Sequence, residues 1–183
     1  MNFQVSKDDI RATVLDFFQK CNAPLKAVQF DNKLYAAAHD KVIQLGYPLD
    51  DAMTMKTFHP FLTDAVYATV ASYPHLKDIT IRAFIASYIA LFSPISDYFA
   101  DKPDPVGEFN SRLIRGAKQA HPLLDAYAHL LYELPKYWDP TMADMMRQSA
   151  MTFLTSMVVE RQLKDAEVSL RFSSHIKIIL NKF

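Results

Sequence analysis

The chain has 183 residues and a mass of 20.9 kDa, enough for one domain and too short for two of ordinary size. Half of the residues are hydrophobic and 22% are charged, which fills a core, and 20 basic residues against 20 acidic ones leave no net charge to draw the chain to nucleic acid or an anionic membrane. One cysteine, Cys21, and three scattered glycines, Gly46, Gly107 and Gly116, exclude internal disulfides, multi-cysteine zinc centres and the clustered-glycine phosphate cradles of P-loop and dinucleotide-binding folds.

Few glycines, many Ala, Leu and Met, and long windows without turn signals predict an all-α fold of about seven helices. Ser6 with Asp9 resembles a capping box and opens a first helix whose apolar face uses Ile10, Val14, Phe17 and Phe18. A second helix spans Asn32 to Gln44, burying Leu34, Tyr35, Ala38 and Val42, and ends at Gly46 and Pro48. A third covers Pro60 to Ser72 with Leu62, Val66 and Val70 on one face, before Pro74 breaks the chain. The fourth runs from Asp78 to about Phe92 on Ile81, Ile85, Tyr88 and Ile89. Asp104 before Pro105 reads as N-cap and first helical residue of a helix to about Ile114. Pro122 opens the next, which stops before Pro135, and Asp139 with Pro140 opens a long one through Met157 to about Gln162.

The N-terminus carries Lys7, Asp8, Asp9 and Arg11 where a signal peptide needs an apolar stretch. The most apolar segment, Ala83 to Ile95, falls short of the roughly 20 residues that span a bilayer and contains Pro94. A soluble, cytoplasmic protein without a membrane span is the expectation.

Chemistry concentrates between Phe92 and Pro122. Asp97 and Asp101 are four apart; within one continuous helix they share a face, where two carboxylates repel unless a cation lies between them. Mg²⁺ takes oxygen ligands of this kind together with substrate phosphates. Phe84, Tyr88, Phe92, Tyr98 and Phe99 surround the pair in sequence, and aromatic faces stabilise cations. Read from spacing alone, the acids are more simply a solvated helix end and the aromatics core, since acids four apart are common on helices.

The run FIASYIALF, SDYFAD and FNSRLIRGAKQAHPLLDAYAHLLYELPKYW resembles the fungal trichodiene synthase-like group of class I terpene cyclases. The likeness lies in the approach Tyr88–Phe92, the acids Asp97 and Asp101, the pattern Gly116, Gln119, Pro122, and Glu160 near the end of the next long helix. It covers roughly Phe58 to Phe172. The resemblance implies a class I terpenoid synthase helical fold, of which residues 1–172 read as the N-terminal portion, and a reaction in which Mg²⁺ draws diphosphate from farnesyl diphosphate and the cation cyclises in an apolar pocket. It implies Asp97 and Asp101 as metal ligands and Tyr88, Phe92 and Phe99 as substrate-binding residues; Glu160 takes no assigned role.

The sequence departs from the group at Ser96, where an aspartate is usual, and at Pro94 just before the pair. The group's Asn/Ser/Glu metal motif and later arginines have no counterpart here, so the fold reads as truncated, and the tail SSHIKIILNKF at residues 173–183 follows no matching pattern. The alternative reading is a truncated or degenerate, non-catalytic helical remnant of such a cyclase that self-associates, as a homodimer for instance.

Six scattered histidines lack zinc-binding spacing, and Cys21 between Lys20 and Asn22 lacks a nucleophile's surroundings. Met142, Met145, Met146, Met151 and Met157 at helical spacing read as core, and Trp138 as a staple at a helix entry.

Overall fold

The computed structural model describes residues 6–21, 28–49, 58–99 and 104–165. The side chain of Asp97, the whole of Asp101 and residues 173–183 lie outside the described set. The all-α expectation holds: the described residues form eight α-helices and a 3₁₀ turn, with no strand among them.

Helix α1 (Lys7–Lys20) starts as expected. Ser6 Oγ accepts from the Asp9 amide at 3.1 Å, and the Asp9 carboxylate accepts from the Ser6 amide at 3.3 Å. Its apolar face is a correction, because no residue of α1 is buried and Ile10 and Phe17 are 54% and 60% exposed. Amphipathic spacing makes a helix capable of docking without supplying the surface it docks on.

Helices α2 (Asn32–Gln44) and α3 (Phe58–Ser72) pack against each other and against α4 (Ile79–Tyr98). Gly46 ends α2 at a φ of +87°, letting the Tyr47 amide reach the Val42 carbonyl at 3.2 Å and the Gly46 amide reach that of Ile43 at 2.9 Å. That is a left-handed helix stop, which favours glycine.

Helix α4 is the centre of the molecule and touches α2, α3 and α7 (Pro122–Glu133). It runs through Pro94, six residues beyond the Phe92 expected from sequence. A proline inside a helix costs about 3 kcal/mol through the lost amide bond, and here Pro94 is buried in a helix packed on several sides. The buried arc also differs from the expected one. Ala83, Phe84, Ala86, Ser87, Ala90, Leu91 and Ile95 are buried, whereas Ile81, Ile85, Tyr88 and Ile89 are only half-buried. The small residues bring α2 close: Ser87 Oγ donates to the Ala38 carbonyl at 3.2 Å. By length and hydropathy Ile79–Ser96 passes as a membrane span, and 44% of that window is buried inside the fold.

The segment expected as one helix from Asp104 to Ile114 is two, α5 (Asp104–Gly107) and α6 (Phe109–Ile114), divided at Glu108. Helix α7 begins with Pro122 at its first turn and buries Leu123, Leu124, Ala126, Tyr127, Ala128, Leu130 and Leu131. The 3₁₀ turn Leu134–Lys136 leads to α8 (Pro140–Asp165). Asp139 caps α8 as expected, accepting from the amides of Thr141 at 3.0 Å and Met142 at 3.2 Å. Trp138 packs on Phe84 with ring centres 5.1 Å apart. The methionines of α8 divide between two environments: Met146, Met151 and Met157 pack on the core, and Met142 and Met145 are exposed.

Ion pairs tie the helix ends. Asp31 accepts from the Leu34 amide and pairs with Arg82 at 3.1 Å; the amide bond and the guanidinium hold its carboxyl below the usual range. Glu133 pairs with Lys41 of α2 and, at 3.0 Å, with Lys136. Burial works against the Glu133 charge, but hydrogen bonds and charge from the two lysines outweigh it and hold this carboxyl low too.

The tight α2–α4 crossing leaves no room for a larger side chain. Ala38→Leu is expected to cost about 1–3 kcal/mol, measured as a lowered urea midpoint with an unchanged slope.

Candidate functional site

The half-buried arc of α4 carries Ile81, Ile85, Tyr88, Ile89, Phe92, Ser93 and Ser96. Tyr88 and Phe92 are one helical turn apart, and their rings stack at 6.0 Å with 15° between planes. Other helices complete an aromatic cluster around them. Tyr127 of α7 lies 5.6 Å from Tyr88 and 6.0 Å from Phe92, Phe109 of α6 lies 5.9 Å from Tyr127, and Phe153 of α8 lies 4.6 Å from Phe92. Burial is graded across the cluster: Tyr127 and Phe109 are fully enclosed, Tyr88 and Phe92 are half-buried, and Phe153 is 37% exposed at the rim.

Polar contacts fix this arrangement. Asn110 Nδ2 donates to the Met151 carbonyl at 3.1 Å and to Thr155 Oγ1 at 2.8 Å, joining α6 to α8 beside Phe109 and Phe153. Tyr127 Oη donates to Tyr88 Oη at 3.1 Å. Burial, reinforced by the neighbouring Tyr88 phenol, pushes the Tyr127 hydroxyl well above the usual phenol range. Tyr127 is therefore neutral at physiological pH and acts as neither base nor anion.

The remaining candidates lie at the far end of α4. Phe99 is the C-cap of α4, buried, with its ring edge-on to His121 at 5.1 Å. Asp97 stands in the last turn, five residues beyond Phe92 and hence about 140° around the helix axis from it. Ser96, on the Phe92 side, donates to the Ser93 carbonyl at 2.9 Å. Helix α4 ends at Tyr98, and the Asp97–Asp101 pair read from the four-residue spacing lies outside the described residues. Glu160 is exposed near the end of α8. Among the described residues no three His, Cys, Asp or Glu side chains gather where they could hold a metal ion.

A cavity of about 190 Å³ lies elsewhere, between α2 and the start of α4, lined by Ala37, Lys41, Gln44, Ile79, Thr80, Ala83 and Tyr137. Its Lys41 is committed to Glu133, and its lining holds no paired acid and base.

Sequence spacing brings Tyr88 and Phe92 together but gives no sign of Tyr127, Phe109 or Phe153. Their contacts join different helices across 18 to 61 residues, from Phe109–Tyr127 to Phe92–Phe153, distances over which no helical period operates. The only signal for Tyr127 is its place in an α7 that is apolar almost all round.

Because the folded chain holds the Tyr127 proton more tightly than the unfolded chain does, stability is expected to fall as pH rises above about 10, by about 1.4 kcal/mol per unit. Urea titrations between pH 8 and 11 check this, and Tyr127→Phe removes that part of the slope.

No family model matches the chain. Alpha-cuprenene synthase of Coprinopsis cinerea is 27% identical over 170 residues, which make up 91% of this chain and 52% of that protein. The chain thus spans about half the length of this curated relative, and the similarity supports a relationship to the terpene cyclases without fixing a product.

Proposed function

We propose that the chain carries the aromatic wall and the aspartate-bearing helix end of a trichodiene synthase-like sesquiterpene cyclase, a class I terpenoid synthase fold that acts on farnesyl diphosphate with Mg²⁺. The observation that carries this reading is the 27% identity to alpha-cuprenene synthase across 91% of the chain. The aromatic cluster agrees with it chemically. A cation passing Tyr88 and Phe92 meets π faces that attract positive charge. Tyr127 and Phe109 close the wall behind them against water. Burial keeps the Tyr127 hydroxyl protonated, so it does not act as a base that quenches a cation early.

In this reading Asp97, at the end of α4, and Asp101 beyond it hold the metal. Carboxylate oxygens suit Mg²⁺, and when bound the ion acts as a Lewis acid that draws off the diphosphate. Ser96 adds only an uncharged oxygen, which leaves the two aspartates to supply the charge.

Calorimetry with the unreactive analogue farnesyl thiodiphosphate tests the proposal. Binding is expected with Mg²⁺ and not without it, and Asp97→Ala should weaken it at least about tenfold, the loss of one charged ligand. Absence of Mg²⁺-dependent binding overturns the reading.

A second reading, a non-catalytic helical protein that self-associates, is favoured by one feature. The outer side of α8 carries Met142, Met145, Phe153 and Val159 exposed among Ser149, Thr152 and Ser156, without a charge on that side from Gln148 to Val159. Exposed apolar patches promote association. Under this reading sedimentation shows a concentration-dependent dimer that Phe153→Glu disperses, whereas a monomer at all concentrations excludes it.

A further inference from the structure

We infer that Tyr127 is a positioning residue whose hydroxyl locks the Tyr88 ring in its stack with Phe92, so that the pair keeps an outer ring face presented to a cation. The inference rests on the reading above for the nature of the cation, a bulky apolar monocation, and on the geometry for the rest. Tyr127 is fully buried in α7, and a buried hydroxyl left without an acceptor is costly. Its partner is Tyr88 Oη, 3.1 Å away. Tyr88 itself is only half-buried, so packing alone restrains its two side-chain torsions weakly. The hydrogen bond adds an anchor at the tip of the ring, while α4 holds its base. With both ends fixed, the ring lies 15° from the plane of Phe92. Attraction between a cation and a ring depends on the face being presented, so loss of the anchor should weaken charge recognition more than apolar contact.

Choline and its neutral carbon isostere, 3,3-dimethylbutan-1-ol, separate these two effects because they share a shape and differ in charge. The wild-type chain is expected to prefer choline about two- to fivefold, the size of a partly solvated cation–π contact. Tyr127→Phe should bring that preference close to one while leaving affinity for the alcohol within about twofold. Tyr88→Phe, which keeps the ring and removes the acceptor, should do the same, and the double variant should add nothing further. General loosening of the fold would instead lower both affinities together. A wild-type chain without the preference, or variants that retain it, overturn the inference. Retained preference in the variants beside Mg²⁺-dependent thiodiphosphate binding sinks the positioning role alone, whereas loss of that binding sinks the cyclase reading.

Discussion

Helix α4 has to satisfy two environments at once, and the rest of the molecule is arranged around that requirement. One arc, through Ala83, Ala86, Ser87, Ala90 and Leu91, is buried; the other, through Ile85, Tyr88, Phe92 and Ser96, stays half-open. A slip of one residue turns the helix by about 100°, which in one direction would move Tyr88 to the buried position of Ser87 and in the other would move Leu91 to the half-open position of Phe92. The register is set at the start of the helix, where Asp78 accepts from the Thr80 amide at 2.7 Å and Arg82 pairs with Asp31. The core and the aromatic cluster are therefore two results of the same placement.

The polar contacts act at the margins of this core. Asp31 and Glu133 both stay charged because their partners outweigh what burial costs them. Each joins segments distant in sequence: Arg82 brings α4 to the entrance of α2, and Lys41 brings α2 to the end of α7. Partly buried pairs of this kind add little net stability and chiefly specify where helix ends lie. Inside, the few buried polar side chains, Thr69, Ser87 and Gln119, each donate to a backbone carbonyl.

Local chemistry made much of the architecture legible. Helix α2 has the expected bounds because Asp31 caps it and Gly46 terminates it, both signals lying within a few residues of the boundary. Asp139 and Pro140 mark the start of α8 for the same reason. Decisions made by tertiary packing were hidden. Proline argues for a helix end, yet α4 continues through Pro94 because neighbouring helices hold it. The division at Glu108 and the unburied face of α1 were equally beyond propensity. At the site, the Tyr88–Phe92 pair was readable as a helical repeat. Tyr127 and Phe153 arrive from other helices, and only the folded chain identifies them.

The grip of α6 on α8 has a mechanical consequence. Asn110 clasps α8 at Met151 and Thr155, on either side of Phe153. Sliding α8 along its axis therefore breaks both hydrogen bonds at the same time as it moves Phe153 off Phe92. The rings are thus kept in register by a polar contact that lies outside their own cluster.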